Sequence, residues 1–461
     1  MNIHSFVDRE EELKFLNNQN QQRPSFVVLY GRRRVGKTEL VEQFCRNKKH
    51  IYYTAPQSNS KEQLKEAFDL VYEKTQDPHV NELKHSWETL LRYCKDKNLI
   101  FVLDEFPYII KADKTVPSKI QRIWDKELRH SNIFLILTGS SVSMMEEKVL
   151  NRKAPLYGRR TGQWKLEPFN FKEMQLFFPN YSYEDKIKTY SILGGIPYFL
   201  QQFDPKKSVT RNIYDKILNK GSVLHNEVEF LMREELREPH NYFTILTSIS
   251  QGNTKFSEIK NDTGIQKNAL TSYISTLRNL HLVKRRVPIT EKESKKGRYY
   301  IQDNFFRFWF KFVFPNRSQM ETDKKTLLEQ IKKSLPVFVS YTFEDVCREL
   351  TSAEFNGFNV GKWWYKNEEI DIIGLNENKD SILFGECKWS KNKVDSSLLF
   401  NLENKKENVR WKNKKRKEIF ILFSKNGFTK GLHNEANKRR DVFLYDLENI
   451  MESFSELLKK G

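Results

Sequence analysis

The stretch Phe26-Val27-Val28-Leu29-Tyr30-Gly31-Arg32-Arg33-Arg34-Val35-Gly36-Lys37-Thr38-Glu39 decides how this chain is read. A short apolar run, the length of a buried strand, leads directly into Gly-x-x-x-x-Gly-Lys-Thr, and a helix-forming segment to Phe44 follows. The glycines allow successive backbone N–H groups to curl around phosphate oxygens. Lys37 neutralises the terminal phosphates, and the Thr38 hydroxyl can ligate Mg²⁺ at a positive helix N-terminus. Residues Gly31 to Glu39 are therefore the expected nucleotide contacts.

Working outward, a second apolar run, Leu99 to Leu103, ends in Asp104-Glu105. Asp104 at a strand tip can organise Mg²⁺ with Thr38, and Glu105 can orient or deprotonate the water that attacks the terminal phosphate. A third run, Ile133 to Leu137, ends in Thr138-Gly139-Ser140-Ser141, where Thr138 and Ser140 are candidates to sense that phosphate. Helical stretches over residues 60–74 and 119–129 separate the strands. Right-handed crossovers and a parallel, doubly wound α/β sheet follow, with the ligand at the strands' C-terminal ends.

With these motifs in place the chain resembles the AAA+-related STAND ATPases, specifically the archaeal-type family that often carries a C-terminal nuclease-like domain. The matching features also include Phe6-Val7-Asp8-Arg9-Glu10, Leu156-Tyr157-Gly158-Arg159-Arg160 and Gly194-Gly195-Ile196-Pro197. The resemblance implies ATP as cofactor and places Phe6, Val7 and Pro197 near the adenine. It also implies that Arg159 or Arg160 stabilises charge on the transferring phosphoryl, in cis or across the interface of a homo-oligomer.

At 461 residues the chain is long enough for about two to four domains. No stretch has the ~20 apolar residues needed to span a bilayer, so no membrane partner is expected. The N-terminal Met1-Asn2-Ile3-His4 lacks signal-peptide features, and a cytoplasmic location is expected. Cys45, Cys94, Cys347 and Cys387 are scattered without metal-type spacing and are read as thiols. The net charge of +19 favours a polyanionic partner, DNA in the first instance, although basic surfaces also arise without one.

Residues 171–230 have helical periodicity and suggest a lid. Beyond them, a helix from Asn241, then Phe256-Ser257-Glu258-Ile259, a turn ending in Gly264, and Lys267 to Leu277 read as a helix-turn-helix. Leu282 to Val287, a polar tip over residues 291–297, and Arg298 to Ile301 complete the pattern of a winged helix. Lys267, Asn268 and Ser272 would face a major groove, with the basic wing along phosphates. The resemblance favours instead a packing relay against the ATPase core, as is common for a winged helix in STAND-type ATPases.

The C-terminal part has the order of a PD-(D/E)xK site: Glu344 on a helix, Asp371 in Glu-Ile-Asp-Ile-Ile, then Glu386 and Lys388 in Gly-Glu-Cys-Lys. Period-two alternation projects Glu386 and Lys388 from one strand face. Asp371 and Glu386 would share a second Mg²⁺ or Mn²⁺, Glu344 would complete the acidic cluster, and Lys388 would activate water. The basic stretch 404–417, interrupted by Trp411, would lie along DNA backbone or simply be solvated.

The expected organisation is a P-loop ATPase core (1–165), a helical lid (166–235), a winged helix (236–310), a linker (311–335) and a restriction-endonuclease-like α/β domain (336–461). The expected function is an ATP-hydrolysing, nucleotide-controlled DNA-binding protein with a metal-dependent nuclease. The alternative is an ATP-dependent switch or scaffold whose nuclease-like domain only binds DNA or a protein partner.

Overall fold

The computed structural model describes residues 6–236, 238–291, 296–413 and 415–460. Most of the polar tip of the expected wing, the N-terminal residues 1–5 and Lys414 of the basic stretch lie outside them. The chain divides into two units. The first runs to Pro168 and also includes Ile196–Tyr198. The second comprises Phe169–Gly195 and Phe199–Gly461.

The first unit is built on five parallel strands: β1 (Ser25–Tyr30), β2 (His50–Thr54), β3 (Ile100–Asp104), β4 (Phe134–Gly139) and β5 (Gly162–Lys165), in the order β2-β3-β4-β1-β5. With its helices this is the α/β fold of a P-loop NTPase. The reason lies in the strands. Phe26, Val28 and Tyr30 enter a core shared with Phe68, Trp87 and Ile109, whereas Val27 and Leu29 point the opposite way, toward Leu16, Leu40 and Phe44. A strand apolar on both faces must be covered on both, and helices on each side do so. The crossovers bring the C-terminal ends of β1, β3 and β4 together.

In the second unit, helices occupy most of residues 171–235. Helices His240–Ser250, Phe256–Thr263 and Lys267–Asn279 precede an antiparallel hairpin of β6 (Val283–Arg286) and β7 (Arg298–Ile301). Gly264, at φ 68°, ends the second helix in the left-handed conformation. The expected linker over residues 311–335 is instead helical, and helix Lys324–Glu354 runs unbroken through its end for 31 residues. Leu327, Ile331 and Leu335, four apart, are buried along one side and fix the helix despite its lysine-rich start.

The C-terminal sheet is mixed, in the order β12-β11-β10-β9-β8, from β8 (Asn359–Tyr365), β9 (Glu368–Asn376), β10 (Ser381–Lys388), β11 (Lys417–Ser424) and β12 (Val442–Asp446). The β8-β9-β10 portion is antiparallel and β10-β11-β12 parallel. Helices Ser396–Lys406 and Lys430–Asn437 bury Leu399, Leu402 and Leu432 against Phe384, Phe420 and Leu422. Among the described residues, no helix is long and apolar enough to cross a membrane.

Candidate functional site

The loop after β1 turns sharply because two glycines permit it. Gly36 has φ 94°, and a Cβ on Gly31 would lie 2.4 Å from the Leu166 carbonyl oxygen. Helix Lys37–Cys45 starts immediately afterwards, with its free N–H groups at the loop. Lys37 is 6% exposed and donates to the Gly31 and Arg32 carbonyl oxygens, both at 3.0 Å. Burial lowers its pKa to about 8, opposed by the nearby carboxylates of Glu105 and Asp104. A phosphate at this point would offer the ammonium a charged partner in place of two carbonyl dipoles.

Asp104, at the tip of β3, is buried. Its Oδ2 accepts from Thr38 Oγ1 at 3.4 Å and from the Tyr52 hydroxyl at 3.0 Å, and Thr138 donates to its Oδ1. A hydroxyl and a carboxylate converging at a helix N-terminus are hard oxygen donors of the kind Mg²⁺ takes, so the donor set fits that ion. Glu105 follows in the left-handed region, φ 52°, and its Oε2 accepts from Ser140 Oγ at 2.8 Å and Ser140 N at 3.3 Å. A non-glycine residue held there marks a position that the surroundings over-determine.

The Pro197 ring borders Gly36, since a Cβ there would lie 3.8 Å from Pro197 Cγ, and the Arg34 guanidinium stacks 3.9 Å from the Tyr198 ring centroid. Phe6 packs on the core of the first unit, and Val7 is half-buried. Arg33 donates to the Tyr108 hydroxyl at 2.7 Å. The two candidate arginines differ in their surroundings. Arg159 is committed to Asp125, at 3.1 Å, and to the Tyr157 carbonyl at 2.9 Å, whereas Arg160 has a buried Nη1 without an acceptor.

Residues 6–203 match a family profile described as an ATPase domain predominantly from Archaea. An uncharacterised protein of Methanocaldococcus jannaschii is 38% identical over 457 residues, spanning 96% of this chain and 100% of that protein. The chain belongs to this archaeal ATPase family. An uncharacterised ATP-binding protein of the same organism is 53% identical over 45 residues, 10% of this chain and 76% of that protein. The fold of a Walker-type ATPase of Pyrococcus abyssi is similar, with a TM-score of 0.51 and 22% identity over 66% of this chain and 96% of that one. Profiles described as a domain of unknown function and as archaeal and bacterial proteins of unknown function match residues 184–310 and 309–407.

In the second unit of this archaeal ATPase, strand pairing brings the predicted carboxylates together. Gly385 pairs with Ile372, so Asp371 and Glu386 stand at the same end of β9 and β10, and the Cys387 N–H donates to Asp371 Oδ2 at 3.1 Å. Lys388 Nζ lies 3.9 Å from Glu386 Oε2. Burial, then repulsion from Asp371, pushes both Glu344 and Glu386 up to about 7.

Two lysines stand among the carboxylates expected to form an acidic metal cluster. Buried Lys362 on β8 lies 2.9 Å from Glu344 Oε2, 3.5 Å from Glu369 and 3.7 Å from Asp371, and Lys405 lies 2.5 Å from Glu386 Oε1. Among the described residues no three His, Cys, Asp or Glu side chains converge as a metal site. The donors, as arranged, do not fit a second Mg²⁺ or Mn²⁺, because ammonium groups already balance the carboxylates.

The basic elements are also more committed than expected. In the hairpin, Arg286 pairs with Asp345 at 2.7 Å and Arg298 with Glu369 at 3.0 Å, so neither is free to follow a phosphate backbone. In the 404–417 stretch, Lys405, Lys406, Lys412 and Arg416 form internal ion pairs, while Arg410, Lys415 and Lys417 remain exposed. Lys267, Asn268 and Ser272 are exposed on their helix.

Tyr52, Arg9, Lys362 and Lys405 were not singled out for these roles. Arg9 Nη2 reaches the carbonyl oxygens of Val35, at 3.4 Å, and Glu167, at 2.9 Å, and so ties the N-terminal segment to the loop. Its signal was its place in the Phe-x-x-Arg-Glu segment. Tyr52 stands near the end of an alternating strand beside β3, a position that points at the same ligand edge.

Proposed function

We propose that this ATPase is a nucleotide-controlled DNA-binding protein in which the first unit hydrolyses ATP and the nucleotide state governs the second. The convergence of Lys37, Thr38, Asp104 and Glu105 at the C-terminal end of one parallel sheet carries this reading. Lys37 exchanges its loop carbonyls for the terminal phosphates. Thr38 and Asp104 would hold Mg²⁺, which when bound neutralises phosphate oxygens. Glu105, fixed by Ser140, accepts the proton of the water that attacks the terminal phosphorus. Arg160, with its unanswered Nη1, compensates charge on the transferring phosphoryl better than Arg159, whose guanidinium Asp125 holds. Phe6, Val7 and Pro197 flank the base.

In the second unit, the three helices and the β6–β7 hairpin act as a winged helix that contacts DNA through Lys267, Asn268 and Ser272 rather than through the wing. The C-terminal sheet is read as restriction-endonuclease-like and as a binding module, because Lys362 and Lys405 balance its carboxylates. The gathering of Asp371, Glu386 and Lys388 supports a second reading, DNA cleavage, which requires those two lysines to move. The deciding experiment assays purified protein for ATP turnover, salt-dependent DNA affinity and Mg²⁺- or Mn²⁺-dependent cleavage, with and without nucleotide. Nucleotide-dependent DNA affinity without cleavage supports the binding module. Cleavage lost in both Asp371→Ala and Lys388→Ala selects the nuclease. DNA affinity that ignores nucleotide contradicts the control.

A further inference from the structure

Within the second unit, a cavity of about 390 Å³ is bounded by the β6–β7 hairpin, the segment carrying Arg307 and Lys311, and the Phe338–Arg348 face of helix Lys324–Glu354. Seven Lys and Arg side chains line it against three carboxylates. Each carboxylate is already answered. Asp345 pairs with Arg286 and Arg348, Glu369 with Arg298, and Glu344 with Lys362.

The surplus charge sits on three groups. The Lys284 side chain makes no hydrogen bond or ion pair among the described residues, although Asp345 acts on it electrostatically. Among the described residues the Lys311 ammonium hydrogen-bonds the Ser250 carbonyl oxygen alone, at 3.4 Å, and lies over the Phe312 ring. Arg307 donates to Thr342 Oγ1 at 2.6 Å and to the Phe338 carbonyl oxygen at 3.4 Å, yet its Nε is buried with no acceptor. A buried donor without an acceptor is costly, and adjacent cations compound the cost. The strain registers in their titration. Burial pushes Lys284 down to about 8 and Arg307 down to about 10, opposed in both by the Asp345 carboxylate and helped by neighbouring arginines, and burial with Arg307 lowers Lys311.

We propose that this cavity binds a phosphomonoester dianion attached to a nucleoside-sized body, either a free nucleotide or the 5′-phosphorylated end of a nucleic-acid strand. Three cations beyond those paired directly with a carboxylate suit a dianion better than the single charge of an internal phosphodiester. The volume far exceeds that of a bare oxyanion and falls in the range of small-molecule sites. Tyr300, Phe338 and Tyr341 supply aromatic wall for a base, and Tyr341 remains 51% exposed. The site does not require the neighbouring carboxylates to cut anything.

The test is calorimetric titration of the full-length protein without other nucleotide, alongside its Lys37→Ala variant to account for probe uptake by the phosphate-binding loop. The probes are thymidine 5′-monophosphate, a short single-stranded oligothymidylate with a 5′-phosphate, and the same strand with a 5′-hydroxyl. At least one phosphorylated probe should bind, the phosphorylated strand about tenfold or more tighter than its hydroxyl form if strand ends are the ligand, and binding should weaken by about tenfold or more in Lys284→Ala and Lys311→Met. Thermal melting of both variants checks that they fold. Binding of the mononucleotide alone identifies a free-nucleotide site, and binding of the phosphorylated strand alone identifies an end-binding site. The proposal is overturned if neither phosphorylated probe binds, if the 5′-phosphate makes no difference and the mononucleotide does not bind, or if both folded variants bind as tightly as wild type.

Discussion

Ser140 Oγ donates to Glu105 Oε2 at 2.8 Å, linking the residue after β4 to the residue after β3. Glu105 occupies a backbone conformation unusual for a side-chain-bearing residue, and the Ser140 hydroxyl and N–H together set where its carboxylate points. A general base is only as useful as its aim, because a misplaced carboxylate loses the attacking water. Ser140→Ala should therefore lower kcat for ATP by about tenfold with little change in KM. Steady-state kinetics checks this, and an unchanged kcat would mean that Glu105 is held by other contacts.

The two arginines after Gly158 should behave differently. Arg160→Ala should reduce ATP turnover by about 10³-fold, the lower range for an arginine that stabilises the transferring phosphoryl. Arg159→Ala should retain turnover and lose at most about 1 kcal/mol of stability, since its pair with Asp125 is partly exposed. Kinetics and chemical denaturation of both variants would expose a reversed assignment.

Glu349 provides a pH signature of the second unit. Its carboxylate accepts from the Phe171 and Lys172 N–H groups at 3.1 and 3.2 Å, but burial dominates and raises its pKa from 4.5 to about 7. The folded state thus holds this proton more tightly than the unfolded one. Its contribution is full below about pH 4.5 and is lost as pH rises through about 7. Against Glu349→Gln, the wild-type melting midpoint should fall progressively between about pH 5 and about pH 8. A constant difference across that window would contradict the assignment.

DNA affinity should depend on the exposed helix more than on the wing. Lys267→Ala should weaken binding and reduce the slope of log affinity against log salt by about 1, the effect of losing one phosphate contact. Arg298→Ala should leave that slope unchanged, because Arg298 is paired with Glu369. Titrations across a salt series separate the two, and the opposite ranking would restore the wing as the contact surface.

The parts legible in the sequence were those whose burial is continuous. β1, β3 and β4 are apolar on both faces and end in residues whose chemistry is local, so Lys37, Asp104 and Glu105 could be read together. β5, Gly-Gln-Trp-Lys, is too short and polar to announce itself, being half-covered at the sheet edge. Residues 311–335 read as a linker, although Leu327, Ile331 and Leu335 carry a helical period. The balance of charge around Asp371 and Glu386 was not legible at all. Lys362 sits on β8, one hairpin from Asp371 on β9 and 18 residues after Glu344 on the preceding helix, with nothing in its own sequence to mark the pairing, and Lys405 sat in a run whose composition suggested DNA. Ion pairs of this kind are made by tertiary packing.

The central claim is that Glu105 drives hydrolysis of ATP held by the loop around Lys37. ATP turnover and nucleotide binding measured on purified wild type and Glu105→Gln test it most directly. Turnover should drop by about 10²- to 10⁴-fold while ATP still binds. Undiminished hydrolysis in Glu105→Gln would contradict the account.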